Sequence, residues 1–264
     1  MRIPKHIGVI PDGNRRWAVQ RGLGKQEGYQ HGLRPGLDLL KLASEAGVSE
    51  ITYYGFTTDN CKRPARQVEA FSKACVDAVQ LMTSQPVSLL VVGDQTASLF
   101  PKELIPYTVR TDFNGGGIKV NLLVNYGWEW DFANLERPGN HRGNICHQLR
   151  SWDISRVDLV IRWGGMRRLS GFLPVQSVYA DFYVVDRLWP DFQPEDVVVF
   201  GTPTYAGRVP NVLLKYLATV KGNGAAAVPV VTFGNRAFDD SLIELRDILR
   251  DNGFRPFAAA AFVG

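Results

Sequence analysis

The sequence has few cysteines, no long run of like charge and no long apolar segment. Cys61, Cys75 and Cys146 stand far apart in a chain of 264 residues, which argues against a disulfide framework or a zinc site. No uninterrupted apolar stretch of about 18 residues is present, so we expect no membrane span. The first residues run directly into a strand-like segment without a signal-peptide core, and we therefore expect a cytoplasmic protein.

The charge is mildly basic and is not concentrated in a tail. Lys and Arg number 30 against 26 Asp and Glu, which gives a net charge of +4. Several arginines fall instead in two short motifs. A few converging guanidinium groups suit a small anion such as a diphosphate, whereas nucleic acid is bound by a longer basic surface. We therefore expect no nucleic-acid partner.

Short apolar or β-branched runs alternate with helical patterns through the first three quarters of the chain. This alternation is typical of an α/β fold with a mostly parallel sheet flanked by helices. The predicted strands are residues 6–10, 51–56, 87–92, 118–125, 158–162 and 182–185. A polar, turn-rich surface loop is predicted over residues 136–144.

Two amphipathic helices are predicted between these strands. Apolar residues recur at helical spacing over residues 33–43 and 68–82, and Gly47 is placed to end the first helix. Core packing is the simpler explanation of both apolar faces. The alternative is that the faces wall an apolar tunnel for a hydrocarbon.

After Pro194 the alternation starts again as β-α-β-α-β. We therefore predict two domains, residues 1–194 and 195–264. The predicted elements of the second domain are strands 197–200, 228–233 and 254–263 with helices 209–220 and 239–252.

Chemistry-bearing residues cluster where predicted strands end. The segment PDGNRRW, residues 11–17, follows the first strand and opens a helix, whose free N–H groups and dipole favour an anion. Asp12 is placed there to hold a magnesium ion against a diphosphate that Arg16 also grips. Gly13 allows close approach of the backbone to the ligand.

Two further loops carry polar and cationic side chains. YGFTTDNCKRP, residues 54–64, brings hydroxyls, an amide and an arginine to one loop, although a helix cap and turn would use the same residues. RWGGMRRLS, residues 162–170, combines glycines, arginines and a serine, which suits a second diphosphate. Asp181 precedes a strand, where it is either a second metal ligand or a strand-edge charge.

These segments, together with YADFYVVDRLWPDF, resemble the conserved blocks of the cis-prenyltransferase family over residues 1 to about 194. The resemblance implies a homodimeric α/β enzyme that needs Mg²⁺ and joins isopentenyl diphosphate to an allylic diphosphate. It implies that magnesium and arginines stabilise the leaving diphosphate while water is excluded. Peripheral membrane contact for a lipid product is a further implied possibility.

The resemblance also implies roles for individual residues. Asp12 and Asn60 are the expected catalytic residues, with Asn60 assisting proton removal, and Asp12 and Asp181 are the expected metal ligands. The remaining positions are expected to bind substrate: Gly13, Asn14, Arg15, Arg16, Trp17, Lys25, Tyr29, Thr57, Thr58, Asp59, Cys61, Arg63, Arg162, Arg168, Leu169 and Ser170.

Three positions depart from the family pattern. Tyr29 replaces a histidine, Cys61 a tryptophan and Met166 a glutamate. Changes at the first and third of these positions also occur in lavandulyl-type synthases, which join two allylic units irregularly. Irregular condensation therefore stays open beside regular chain elongation.

The tail resembles another family. GTPTYAGR and FGNRAFDD, in residues 201–208 and 233–240, look like the two loops that flank the ring in the second half of a flavodoxin-like domain. The phosphate-binding loop of such domains is missing, so we expect poor flavin binding. A flavin-binding or electron-transfer protein and a non-catalytic partner subunit are the alternatives from other functional classes.

Overall fold

The protein is described by a computed structural model. It covers residues 4–135, 145–193, 198–222, 225–234, 237–256 and 259–263. The surface loop predicted over residues 136–144 lies outside this range. The chain divides into two compact units, one over Ile3–Phe192 and one over Gln193–Gly264.

The first unit is built on a seven-stranded sheet. Its strands lie in the order β4-β3-β5-β2-β1-β6-β7, and all neighbours are parallel except β3 and β4. The strands are β1 (His6–Ile10), β2 (Glu50–Tyr54), β3 (Val87–Val92), β4 (Thr111–Phe113), β5 (Ile118–Leu123), β6 (Leu159–Trp163) and β7 (Asp181–Val185).

Helices connect these strands. Over the described residues of this unit they are α1 (Asn14–Gln20), α2 (Gly28–His31), α3 (Leu33–Glu45), α4 (Ala65–Thr83) and α5 (Trp128–Asp131). Short 3-10 helices lie at Thr58–Lys62, Lys102–Thr108, Ile145–Gln148 and Trp189–Asp191. No helix in the described ranges is both long and apolar enough to cross a bilayer.

Strands β1, β2 and β6 lie next to one another in the sheet and run in the same direction. Ile10, the last residue of β1, pairs with Arg162 of β6. The loops that follow these three strands therefore emerge at one edge of the sheet, where ligands of open α/β sheets bind. The first three predicted motifs all follow these strands.

The second unit has a smaller parallel sheet around β9 (Ala226–Phe233). Strand β8 (Val198–Pro203) pairs along most of β9, whereas β10 (Arg255–Pro256) and β11 (Ala260–Val263) pair with its beginning and end. Helices α6 (Asn211–Leu217) and α7 (Ser241–Asp251) complete the unit. Its buried apolar cluster is Val209, Leu217, Ala225, Ala227, Val231, Leu245, Leu249 and Phe254.

The mostly parallel sheet with flanking helices confirms the predicted fold class. All six predicted strands of the first unit are present. The short strand β4 was not predicted, because three residues are too few to show a period. The single last strand predicted over residues 254–263 is wrong, since two short strands occupy its described part.

Candidate active site

The turn between β1 and α1 presents Asp12 at the open edge of the sheet. Gly13 has φ +111°, a left-handed conformation, and a Cβ there would lie 2.8 Å from the side chain of Leu188. The Asp12 carbonyl accepts a hydrogen bond from the backbone N–H of Trp189 at 3.0 Å. Glycine is therefore required both by the turn and by the segment packed against it.

Asp12 is held between two arginines. Its Oδ2 lies 2.8 Å from Nη2 of Arg162, and its Oδ1 lies 3.5 Å from Nη2 of Arg16. The Arg162 side chain is only 6% exposed, whereas that of Asp12 is 34% exposed. The carboxylate thus compensates a buried guanidinium while keeping one side open to solvent.

Arg162 joins the first motif to the third. Besides the ion pair, its Nη1 donates to the carbonyl of Arg168 and, at 2.8 Å, to Oγ of Ser170. Ser170 has φ +53°, and its carbonyl accepts a hydrogen bond from the Tyr54 hydroxyl at 2.8 Å. Burial is the main reason that the pKa of Tyr54 is raised, so this hydroxyl stays protonated and donates.

Arg16 reaches the same loop. Its Nη2 donates to the carbonyl of Gly164 at 2.8 Å. Gly164 has φ +84°, and a Cβ on it would collide with the Arg16 guanidinium. Gly164 of the RWGG segment therefore leaves room for the Arg16 guanidinium.

A cleft of about 780 Å³ lies in front of these residues. Six cationic side chains line it against two carboxylates, those of Asp12 and Asp59. This imbalance favours an anionic ligand. The cations are Arg15, Arg16, Lys25, Arg63, Arg162 and Arg168.

The loop after β2 forms another wall of the cleft. Thr57 and Asn60 cap the 3-10 turn reciprocally: the Asn60 N–H donates to Thr57 Oγ1, and the Thr57 N–H donates to Asn60 Oδ1, both at 3.3 Å. Asp59 is exposed and pairs with Lys62 at 2.7 Å. Thr57 and Asn60 thus form the helix cap that was one interpretation of this segment, and both also line the cleft.

A narrow apolar chamber of about 80 Å³ adjoins the cleft. The two spaces share five lining residues, Pro11, Asn14, Tyr29, Gly55 and Phe71. The other lining residues come mainly from α3, α4, β2 and β5: Leu33, Gly36, Leu37, Tyr53, Ala74, Cys75, Ala78, Leu81, Met82 and Leu122, with Gly32 and Trp189. A polar cleft beside such a chamber fits a ligand with an anionic head and an apolar tail.

Most predicted site residues line the cleft together. They are Asp12, Gly13, Asn14, Arg15, Arg16, Lys25, Tyr29, Thr57, Asp59, Asn60, Arg63, Arg162, Arg168 and Ser170.

Five predicted residues, with Asp181 as the fifth, are not among the lining residues of the cleft. Trp17 is buried and donates from its indole nitrogen to Asp191 at 2.8 Å. The Cys61 thiol lies 3.2 Å from the Asn125 side-chain oxygen, and partial burial raises its pKa. Leu169 packs against a buried apolar cluster of the first unit that includes Leu123 and Phe172, and the N–H of Thr58 donates to the carbonyl of Tyr126.

Asp181 lies at the other end of the sheet. It pairs with Leu159, the residue level with Ile7, whereas Asp12 follows the opposite end of β1. The structure therefore does not bring Asp181 to Asp12 within one chain. No group of three or more carboxylate, histidine or cysteine side chains suited to a metal occurs among the described residues.

Some lining residues were not predicted to bind ligand. Phe71 belongs to the apolar pattern of α4, which does not distinguish a core residue from a cavity wall. Tyr54 and Gly55 stand inside the second motif but were not assigned a role. The full set is Ile10, Pro11, Val19, Gln20, Tyr54, Gly55 and Phe71.

The strand-end cleft, its cations and the adjoining apolar chamber describe an α/β protein with a site for phosphorylated apolar ligands. A family profile, Prenyltransf, described as undecaprenyl diphosphate synthase, matches residues 10–202. The chain belongs to this cis-prenyltransferase family, and it is an enzyme of that class.

Similar proteins agree with this assignment. A ditrans,polycis-undecaprenyl-diphosphate synthase of Pectobacterium atrosepticum is 33% identical over 73% of this chain and 83% of that protein. The synthase of Photorhabdus laumondii is 31% identical over 78% of this chain and 88% of its own length. A crystal structure of lavandulyl diphosphate synthase from Lavandula x intermedia aligns with TM-score 0.62 and 26% identity, covering 72% of this chain and 89% of that one.

Proposed function

We propose that this enzyme condenses isopentenyl diphosphate with a short allylic diphosphate and releases inorganic diphosphate. The carbon–oxygen bond of the allylic substrate breaks, a carbon–carbon bond forms to isopentenyl diphosphate, and one proton is lost. The observation that carries the proposal is the Asp12–Arg162 pair inside a cleft with six cations that adjoins an apolar chamber. The names of the related synthases support the same chemistry.

Asp12 is the proposed ligand of Mg²⁺. Magnesium is commonly held by one or two carboxylates together with substrate phosphates, and the partly exposed Asp12 carboxylate in a cleft suited to a diphosphate supplies that donor set. When bound, the ion would neutralise charge on the departing diphosphate. The family resemblance also implies that Asp181 is a metal ligand. Because Asp181 lies at the other end of the sheet from Asp12, it could bind metal only at a site other than the cleft of its own chain.

The cations of the cleft divide into two proposed diphosphate subsites. Arg15, Arg16 and Lys25, with the backbone of Gly13 and Asn14, would hold the allylic diphosphate near the start of α1. The second subsite would be Arg162, Arg168 and Ser170. The Nε of Arg162 is buried without a hydrogen-bond partner in the described part of the chain, so it has a donor to offer an incoming phosphate oxygen.

Asn60 and Arg63 would orient the reacting carbons and phosphates. Asn60 lines the cleft, and its Oδ1 already accepts from the Thr57 N–H, so its amide NH₂ is the group left to donate to a ligand. A neutral amide has little basicity, so we assign it an assisting part in proton removal.

The adjoining chamber is the proposed place of the prenyl tail. Residues of α3 and α4 line this chamber, which supports the interpretation of their apolar faces as the wall of a tunnel. The chamber volume of about 80 Å³ favours a short tail. A homodimer, peripheral membrane contact for the product and a cytoplasmic location are proposed from the family resemblance.

A second candidate is irregular condensation of two allylic diphosphates. The similarity to lavandulyl diphosphate synthase favours it, together with Tyr29 and Met166 in place of polar or charged family residues. A non-catalytic partner subunit is disfavoured by retention of Asp12 and the surrounding cations. The flavodoxin-like resemblance of the tail stays a prediction.

Product identification tests the proposal and separates the candidates. The protein is incubated with Mg²⁺ and either isopentenyl plus geranyl diphosphate or dimethylallyl diphosphate alone, and the dephosphorylated products are identified by mass spectrometry and NMR. We expect a linear product from the first mixture. A branched product from dimethylallyl diphosphate alone would establish the irregular reaction, and no product from either mixture would overturn both.

A further inference from the structure

The short helix α5 begins at the edge of the sheet where the cleft lies. Strand β5, which precedes it, runs parallel to β2 and pairs Leu123 with Tyr54 at its end. The carbonyl of Tyr126 accepts a hydrogen bond from the N–H of Thr58 at 3.0 Å. A Cβ on Gly127 would lie 2.8 Å from Oγ1 of Thr58. The start of α5 is therefore packed closely against the loop that follows β2.

Buried hydrogen bonds fix α5, although it has only four residues. Asp131 is buried, and its Oδ2 accepts from the Tyr126 hydroxyl at 2.8 Å and from the Ser151 hydroxyl at 2.7 Å. Its Oδ1 accepts from the Ser151 N–H at 2.8 Å. Loss of these donors would leave a buried carboxyl group without partners, which is costly. The side chains of α5 therefore project from a rigid base.

Trp128, the first residue of α5, packs against the turn at the end of the RWGGMRRLS segment. A Cβ on Gly171 would lie 3.0 Å from Cδ1 of the Trp128 indole and 3.6 Å from the Tyr54 hydroxyl oxygen. Ser170 has φ +53° and Gly171 has φ +79°, so two left-handed residues follow one another. A serine keeps this unfavourable conformation only where its surroundings hold it.

This turn carries part of the second proposed diphosphate subsite. Arg162 Nη1 donates to the Ser170 hydroxyl at 2.8 Å, and the Tyr54 hydroxyl donates to the Ser170 carbonyl at 2.8 Å. Ser170 lines the cleft, whereas Trp128 is not among the lining residues. Trp128 can therefore influence a ligand of the cleft through the turn on which its ring lies.

We propose that Trp128 is a positioning residue for isopentenyl diphosphate. Its indole ring holds the Ser170–Gly171 turn against the base formed by α5, and so keeps the Ser170 hydroxyl in place for the second diphosphate. The allylic subsite at the start of α1 does not involve this turn. The inference rests on the proposed function, because it takes Arg162, Arg168 and Ser170 as the subsite for isopentenyl diphosphate.

Binding measurements with each substrate site addressed separately test the inference without turnover. The allylic site is first titrated by calorimetry with Mg²⁺ and the thiolo analogue of geranyl diphosphate, whose carbon–sulfur bond resists cleavage. Isopentenyl diphosphate is then titrated into protein saturated with that analogue. Trp128→Ala should raise the dissociation constant of isopentenyl diphosphate about tenfold, because small displacements of a positioning group have large effects. It should leave the dissociation constant of the analogue unchanged.

Further variants separate positioning from general stability. Trp128→Phe keeps a ring over Gly171 and should retain most of the affinity. Trp128→Leu should weaken isopentenyl diphosphate binding by a smaller factor, about threefold, and covers the case in which Trp128→Ala fails to fold. Trp152→Ala truncates another exposed tryptophan of the first unit, one that does not line the cleft, and should change neither constant.

A folded Trp128→Ala protein that binds isopentenyl diphosphate as tightly as wild type would overturn the inference. Equal weakening of both ligands would overturn it too, since it would show a merely structural role. Either result leaves the proposed function standing. Failure of the wild-type protein to bind isopentenyl diphosphate would instead contradict the proposed function, and the inference would fall with it.

Discussion

Arg162 connects Asp12 with the loop that carries Arg168 and Ser170. It is buried, and its charge is compensated by Asp12 while Ser170 and the Arg168 carbonyl accept from its Nη1. A buried guanidinium left without such a partner would be strongly destabilising. We therefore expect Asp12 to stabilise the ligand-free cleft as well as to serve the reaction.

Tyr54 is expected to position the second diphosphate subsite. Its hydroxyl holds the Ser170 carbonyl, and Ser170 in turn accepts from Arg162. Tyr54→Phe removes one hydrogen bond worth about 1 kcal/mol, so the KM for isopentenyl diphosphate should rise about fivefold with little change for the allylic substrate. Steady-state kinetics with each substrate varied in turn measures this difference.

Tyr53→Phe is the matched control, because it removes a similar bond to the Gly36 carbonyl at 2.7 Å. It should cost similar stability without a selective effect on isopentenyl diphosphate. Equal effects of both variants on both KM values would refute the positioning role of Tyr54.

His6 should make the stability of the protein depend on pH. Burial is the main cause that lowers its pKa from the ordinary value of 6.5, and Glu50 opposes the shift. The Ser155 carbonyl accepts from Nδ1, so in the neutral ring Nε2 accepts from the Thr52 hydroxyl at 2.8 Å. A protonated ring would lose that acceptor.

As the pH falls below about 6.5, the unfolded chain therefore binds a proton at His6 that the folded chain does not, and stability decreases. Thermal melts between pH 7.5 and pH 5.5 should show a falling Tm, and His6→Asn should flatten this part of the profile. The lowered pKa of Glu50 acts in the same direction at lower pH. A Tm that rises on acidification over this interval would show the assignment of the neutral ring to be wrong.

At the scale of the elements, the turn from β1 to α1 is the most constrained part of the site. Gly13→Ala should cost about 1–2 kcal/mol for the left-handed conformation and a further 1 kcal/mol or so for the contact with Leu188. It should also lower turnover, because Asp12 precedes it. Chemical denaturation and kinetics of the variant measure both effects.

Gly115→Ala separates the two contributions. Gly115 also has a left-handed φ of +87°, but a Cβ there would meet nothing within 4 Å. This variant should lose only the conformational part of the stability and keep full turnover. If both variants lose the same stability, contact with Leu188 contributes nothing.

The sequence predicted the elements around the site well, because strands of five or six buried residues and helices with one apolar face carry strong periodic patterns. Side-chain direction was harder to predict. Trp17 and Cys61 stand inside motif segments, yet their side chains bond to Asp191 and Asn125. A motif gives the position of the backbone, whereas packing decides which of its side chains face the cleft.

At the scale of the whole molecule, the position of Asp181 could not be predicted from its motif. Only the register of β7 on β6 places it at the edge of the sheet away from Asp12. Likewise, the apolar pattern of α4 favoured core packing and left a cavity wall as the alternative. The structure shows that one face serves both, since Cys75 and Met82 are buried and also line the chamber.

The second unit leads to a prediction about flavin. Its parallel strands β8, β9 and β11 and helices α6 and α7 follow the predicted β-α-β-α-β order, but the sequence has no phosphate-binding loop before them. We expect the full chain to bind flavin mononucleotide weakly, because ring contacts alone leave the phosphate without donors. Titration of flavin fluorescence measures the affinity, and submicromolar binding would favour the electron-transfer alternative.

Turnover of Asp12→Asn tests most directly the central claim, that the cleft at the end of β1 is the catalytic site. The rate of product formation from isopentenyl and geranyl diphosphates with Mg²⁺ is compared with that of wild type and of Asp38→Asn, which alters a carboxylate paired with Arg34 on α3. We predict a loss of about a hundredfold or more for Asp12→Asn and near-normal turnover for Asp38→Asn. Turnover of a folded Asp12→Asn protein within a few-fold of wild type would contradict the account.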